Sequence, residues 1–236
     1  IYSQGDGSSV VMYNCEVSDN TAGNGGAGGS VATGDTGTAS DGGAGGNGGG
    51  IAAYDLTATR ITETKFEQNK SGQGGGGGLD GNSGTGGNGG NGGDGGAIAM
   101  ELPKQMGDPD AAGEFFPLIQ DSVFSNNNNK DLNNATGGIG GDNDLVATDT
   151  IGDGGRGGHG GAIWVEKFAS AATGSSHLIR SLFRQNATGV GAEGEFGGHG
   201  GDGGAIYIKS PAATDDEWKM DNCTFTQNET RSGGLP

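Results

Sequence analysis

The sequence predicts an all-β fold: a right-handed parallel β-helix (solenoid) of about five coils, with glycine-rich insertions forming polyglycine II helices packed alongside. Three observations predict it. Gly-Gly-(Ala/Gly)-Ile recurs, ending at Ile51, Ile98, Ile163 and Ile206, and Ile1-Tyr2 repeats Ile206-Tyr207. A second motif, apolar-x-x-(Cys/Ser/Thr)-x-(Phe/Val)-x-x-Asn, occurs five times in strict alternation with the first. The segments between each Asn and the next Ile end in Gly-Gly-x triplets. A fixed order of motifs at intervals of 50, 47, 65 and 43 residues marks a stacked repeat.

Composition alone points elsewhere. Glycine fills 57 of 236 positions, while Leu, Ile, Val and Phe contribute only 36, and the net charge is −17. Low apolar content with high charge reads as disorder, and only the repeat overrules it. No run of 18 apolar residues is present, so no membrane-spanning helix is expected. The acidic balance argues against nucleic acid, which needs a basic face. The chain starts without a Met or a signal peptide, as a mature chain or a piece of one would.

Each unit is read as two strands. The first follows Gly-Gly-Ala, and in Ile206-Tyr207-Ile208 the isoleucines face one way and the tyrosine the other. The second ends at the Phe. Its copies are Met12, Cys15, Val17, Asn20; Ile61, Thr64, Phe66, Asn69; Ile119, Ser122, Phe124, Asn127; Leu178, Ser181, Phe183, Asn186; and Met220, Cys223, Phe225, Asn228. Two short strands bury nothing alone, but stacked units bury a continuous column of Ile51, Ile98, Ile163 and Ile206 with Val17, Phe66, Phe124, Phe183 and Phe225. Coils start near 1, 51, 98, 163 and 206, and the whole of 1–236 reads as a single repeat domain, part of a longer chain or fibre. Right-handed crossings are strongly preferred.

Asn20, Asn69, Asn127, Asn186 and Asn228 are expected to form a hydrogen-bonded ladder, Asn being tolerant of left-handed turns. Asn69, Asn186 and Asn228 also head glycosylation sequons, but a ladder and a glycan exclude each other. Asn134 and Asn222 lie off the ladder and are the better glycan candidates. Cys15 and Cys223 share a register position four coils apart, about 19 Å, which is too far for a disulfide. They are expected as separate, core-facing thiols serving as small hydrophobes.

The arms, such as 42–49, 86–96, 154–161 and 197–204, keep a period of three. That is the period of a polyproline II-type helix, which glycine can adopt. A floppy linker needs no triplet phase. Ordering a glycine-rich arm of about ten residues costs on the order of 10–20 kcal/mol, so arms can be ordered only by pairing with arms. The stretches 30–40 and 135–150 are less periodic and read as loops.

The Gly-Gly-Ala-Ile and Phe-x-x-Asn motifs resemble the repeats of the chlamydial polymorphic outer membrane proteins, and related repeats occur in bacterial and protist surface proteins. The resemblance covers about 13 residues in each unit. It implies a surface-displayed right-handed β-helix with adhesive or structural roles, and an extracellular or cell-surface location. The long glycine insertions depart from the family pattern, and the family's membrane barrel is not in this chain.

Few residues suggest chemistry. Stacking the arms places Asn47, Asp94, His159 and Asp202 in one column and Ala44, Asn91, Arg156 and His199 in another. Asp94, His159 and Asp202 are metal candidates, although a site needs three or four converging ligands, and polar decoration is the plainer reading. Gly-Gly-x-Gly-Gly-Asp ending at Asp94 and Asp202 partly fits a calcium nonapeptide, but the apolar position is glycine; no cofactor is expected. Trp164 and Tyr207 face outward on adjacent coils, as a candidate partner contact or as residues covered by the loops 103–117 and 211–218.

The expected function is a non-enzymatic structural or adhesive module of an extracellular surface or filament protein, assembling by coil stacking. Its partners would be copies of itself, neighbouring filament subunits or surface glycans. The alternative is a glycan-binding or polysaccharide-processing β-helix. Against an enzyme, no acidic pair recurs beside a basic residue, and Asp215-Asp216-Glu217 reads as a solvent-facing turn. Against an ice-binding face, Thr is not in register.

Overall fold

The computed structural model describes residues 1–5, 8–32, 35, 37–54, 58–80, 84–102, 118–128, 151–167, 176–209 and 218–235. Among these residues all regular structure is strand. Three parallel sheets of five strands each form the sides of a prism. The first holds β1 (Tyr2–Gln4), β4 (Ile51–Tyr54), β7 (Ile98–Leu102), β10 (Ile163–Lys167) and β13 (Ile206–Lys209). The second holds β2 (Ser9–Tyr13), β5 (Ala58–Thr62), β8 (Leu118–Gln120), β11 (Ser176–Ile179) and β14 (Trp218–Asp221). The third holds β3 (Glu16–Ser18), β6 (Lys65–Glu67), β9 (Val123–Ser125), β12 (Leu182–Arg184) and β15 (Thr224–Thr226). The chain is a parallel β-helix of five coils.

Each coil has three strands, where the sequence pattern suggested two. The second motif bends in its middle. Asn14, Glu63, Asp121, Arg180 and Asn222 adopt φ of 44–53° between the second and third sheets. The residue after each turns its hydroxyl or thiol back: Thr64 Oγ1, Ser122 Oγ and Ser181 Oγ donate to the carbonyl two residues earlier at 2.8–2.9 Å. Cys15 Sγ and Cys223 Sγ do the same at 3.3 and 3.5 Å. The motif therefore requires a small X–H group, and Cys, Ser and Thr are interchangeable there. A left-handed conformation costs a non-glycine residue roughly 1–2 kcal/mol, which the stacked neighbours must offset.

The second corner also differs from the expectation. The left-handed residue is the one before the ladder Asn: Asp19, Gln68, Asn126, Gln185 and Gln227, at φ of 54–56°. The third corner needs glycine. Gly48, Gly95, Gly160 and Gly203 have φ of 65–71°. A Cβ there would lie 2.0–2.3 Å from the carbonyl oxygen of Ile51, Ile98, Ile163 or Ile206.

The core runs along the prism axis. Ile51, Ile98, Ile163, Phe66, Phe124 and Phe183 are at most 1% exposed. The rings of Phe66, Phe124, Phe183 and Phe225 stack at centroid separations of 4.7–4.9 Å. That spacing is the strand separation itself. Burying each such side chain is worth about 1.5–3 kcal/mol. Phe225 departs from the buried column. It is 45% exposed, because it lies on coil 5 with one ring face on Phe183 and the other open. Ile206, on the same coil, is half-buried.

The glycine arms are ordered mainly by backbone bonds. Ala22, Gly25 and Gly28 N–H donate to Lys70, Gln73 and Gly76 carbonyls of the next coil at 2.8 Å. Gly42, Gly45 and Gly48 donate likewise to Asn88, Asn91 and Asp94 at 2.8–2.9 Å. Returning arms also bond outgoing ones, as Gly43 to Gly26 and Gly75 to Gly43 at 2.8 Å. One bond every third residue, on several sides of an arm, is the geometry of packed polyglycine II helices. The loops expected at 103–117 and 135–150 lie outside the described residues, as does that at 211–218 apart from Trp218, which opens β14; Asp215, Asp216 and Glu217 lie outside them too.

Candidate functional site

Four polar columns and the two end faces carry the chemistry of the described residues. The first column is the Asn series. The Nδ2 groups of Asn20, Asn69, Asn127 and Asn186 donate to Oδ1 of the next coil's Asn at 2.8–3.1 Å. Their backbone N–H groups reach the same oxygens at 3.1–3.3 Å. The second Nδ2 proton of Asn69, Asn127, Asn186 and Asn228 goes to the carbonyl of Val17, Phe66, Phe124 and Phe183 at 2.8–3.2 Å. Asn69, Asn127 and Asn186 have no exposed surface. A glycan on the sequon residues Asn69 or Asn186 is sterically incompatible with this arrangement. Asn222 is exposed and occupies the left-handed turn before Cys223. Asn134 lies outside the described residues. A neighbouring buried pair went unnoticed in the sequence: Asn128 Oδ1 accepts from Ser71 N–H at 2.9 Å and lies fully buried.

The second set of columns explains the triplets. In the x-Gly-Gly units the glycine N–H groups serve neighbouring arms, and where x is Asn, Asp or His its side chain can accept the N–H of the residue above it, as Ala44 and Arg156 cannot. Asn47 Oδ1 accepts from Asp94 N–H at 2.8 Å, Asp94 Oδ1 from His159 N–H at 2.6 Å, and His159 Nδ1 from Asp202 N–H at 2.7 Å. Asn91 Oδ1 accepts from Arg156 N–H at 3.0 Å. A further column, missed in the sequence, runs Asp41, Asn88, Asp153, with bonds of 2.8 Å to the N–H of Asn88 and Asp153. Its signal was available: Asp, Asn and Asp fall ten residues before successive isoleucines.

This column decides how Asp94, His159 and Asp202 behave. They are brought together, but His159 spends its Nδ1 lone pair on a backbone N–H. The ring is 4% exposed and stacks on Tyr207 at 4.4 Å. Burial lowers the His159 pKa, with nearby Arg156 adding to the effect, and the accepting Nδ1 requires the neutral ring. Burial raises the Asp94 carboxyl above its ordinary range. Asp202 is exposed.

Trp164 corrects an expectation. It points outward but is 4% exposed, and Ala52 and Ala99 beside it are 7% and 0% exposed. The outer face of the first sheet is covered, in part by the turn column: His159 lies on Tyr207, and Asn47 bonds the Tyr54 hydroxyl. Tyr207 is half-buried. Trp164 and Tyr207 thus do not form an exposed aromatic patch.

The end faces are different. On coil 5, Met220 and Phe225 are 46% and 45% exposed. Beside them a pocket of about 330 Å³ is lined by Gly204, Ala205, Phe225, Thr226, Gln227 and Asn228 among others. In the Asn column each coil donates to the next, the reverse of the arm columns, so Asn228 presents N–H and Nδ2 donors outward while Asn20 presents its Oδ1 on coil 1. Both cysteines are free, and neither is a fully buried hydrophobe. Cys15 is exposed, and Cys223 is half-buried against the core, because the two lie on the end coils whereas Thr64, Ser122 and Ser181 between them are 1–2% exposed.

Compared with family models, with curated proteins and with solved structures, the chain matches none. The functional reading rests on the geometry of its own columns and faces.

Proposed function

We propose that the protein is a non-enzymatic structural module of an extracellular surface or filament protein, and that copies assemble head to tail by coil stacking. The observation that carries this reading is the complementarity of the two end faces. Coil 5 offers the donors of Asn228, and coil 1 offers the acceptor of Asn20, in the same pairing that joins every internal step. The open ring face of Phe225 and the pocket beside it would receive the next coil. Such a contact is heterologous, and repeated it gives a filament rather than a closed ring.

The test is sedimentation and negative-stain electron microscopy of the purified chain across a concentration series. The reading expects rods that lengthen with concentration. A Phe225→Lys variant, charged at the open face, is expected to stay monomeric with the parent's circular dichroism. Monomers of the parent at all concentrations would remove this reading.

A further inference from the structure

At four positions the first and last coils match each other and none of the coils between them. Ile1-Tyr2 matches Ile206-Tyr207, Met12 matches Met220, and Asn14-Cys15 matches Asn222-Cys223. At these positions the inner coils carry Ala or Trp after the Ile, Ile or Leu for Met, and Glu, Asp or Arg followed by Thr or Ser for Asn-Cys. The register of each sheet aligns these residues in common columns. The only two cysteines of the chain therefore sit in one column, on its two end coils.

Within one copy they are about four strand spacings, or 19 Å, apart, and cannot bond. In a head-to-tail stack that continues the register, Cys223 of one copy lies directly beneath Cys15 of the next. One strand spacing, about 4.8 Å, falls within the range of Cα separations that disulfides span. Resting on the stacking reading above, we propose that Cys223 and Cys15 of successive copies form the covalent, redox-controlled junction of the filament, the partner being a second copy of this chain.

The chemistry balances with a disulfide oxidant such as oxidised glutathione. The thiolate of one cysteine attacks the glutathione disulfide, forming a mixed disulfide and releasing one reduced glutathione. The second thiolate attacks the protein sulfur and releases the other. The two protein thiols lose two protons and two electrons, and one oxidised glutathione becomes two reduced ones. Exposure of Cys15 leaves it accessible to the oxidant. The Cys15 sulfur meets the Tyr13 carbonyl, and the Cys223 sulfur those of Asp221 and, on coil 4, Leu178, all only by weak S–H bonds, so oxidation gives up little in the folded coil.

The test uses Cys15→Ser and Cys223→Ser. Serine already occupies this turn position at Ser122 and Ser181 with its hydroxyl bonded back, so both variants are expected to fold as the parent does. The parent, treated with oxidised glutathione, is expected to give a ladder of dimers, trimers and longer species on a non-reducing gel. Each variant alone gives none, and an equimolar mixture gives dimers and nothing longer. Mass spectrometry should find the Cys15–Cys223 peptide pair. Cross-linked dimers in either single variant at the yield of the mixture would overturn the proposal. Microscopy of the reduced parent separates the two readings. Rods without any cross-link on oxidation would overturn the cysteine junction and leave stacking intact, whereas monomers without cross-links would overturn both.

Discussion

The prism and the glycine arms are two solutions to the same problem within one chain. Both repeat once per coil, and both bond each coil to the next. The prism fills its interior with side chains: Phe66, Phe124 and Phe183 have no exposed surface. The arms have no interior to fill. At Gly75 a Cβ would lie 2.1 Å from the Gly26 oxygen, and at Gly90 the same distance from the Gly43 oxygen. Their cohesion is backbone N–H···O bonds and the acceptor side chains of the polar columns, aided by close Cα–H···O contacts worth about 0.5–1 kcal/mol each. The difference teaches that the coils should fail when atoms are removed and the arms when a single carbon is added.

The largest effects should come from removal in the prism. Asn127→Ala strips the acceptor from Asn69 N–H and Nδ2 and leaves buried groups unpaired, each costing about 1–3 kcal/mol. A loss of roughly 3–5 kcal/mol is expected in urea unfolding. Phe124→Ala, opening the middle of the ring stack, should cost about 3–5 kcal/mol. A smaller loss than 1 kcal/mol at either position would break the comparison.

Addition should separate the arms next. Gly75→Ala is expected to destabilise by about 1–3 kcal/mol, since the carbon meets backbone that cannot rotate away. Gly26→Ala, two positions from an equally glycine-rich contact but with nothing within 4 Å of its Cβ, should stay within about 0.5 kcal/mol of the parent. Equal effects at the two sites would mean that the arms do not pack as described.

The turn column sharpens the comparison through pH. The His159 pKa is lowered in the fold, so the unfolded chain binds the proton more readily. Stability from the neutral ring is complete above the unfolded value of about 6.5 and is lost as pH falls through the lowered folded value. His159→Asn keeps an acceptor for Asp202 N–H and should flatten that acid limb in melting curves. Asp94 has the opposite sign. Its pKa is raised, so its contribution is present at low pH and lost as pH rises through the folded value. Asp94→Asn should then raise the melting temperature at pH 7 and not at pH 3. The smallest effect is expected at the solvent-facing Arg180–Asp121 pair, joined at 2.7 Å. Arg180→Ala should barely move the melting temperature, because exposed ion pairs are screened.

Much of this was legible in the residues, and the rest was hidden for physical reasons. The isoleucine and phenylalanine positions read directly because burial selects residue type at every coil. The third strand did not, because its corner residues Asn14, Glu63, Asp121, Arg180 and Asn222 share a backbone conformation but no chemistry. The triplets revealed arms, whereas the acceptor role of Asp41, Asn88 and Asp153 shows only when the coils are aligned. Trp164 looked exposed by strand alternation, yet alternation reports which side a residue faces and not what lies over that side. Phe225 and Cys15 follow the column pattern but sit on end coils, where a column has only one neighbour.

Residue-resolved amide hydrogen exchange on the monomer at neutral pH tests the central claim most directly. The account predicts that Gly43, Gly45, Gly75 and Gly90, each bonded arm to arm, exchange as slowly as the strand amides of Phe66 and Phe124. Exchange of those glycines at the rate of free peptide, with the strands still protected, would show a β-helix carrying loose glycine linkers and would contradict it.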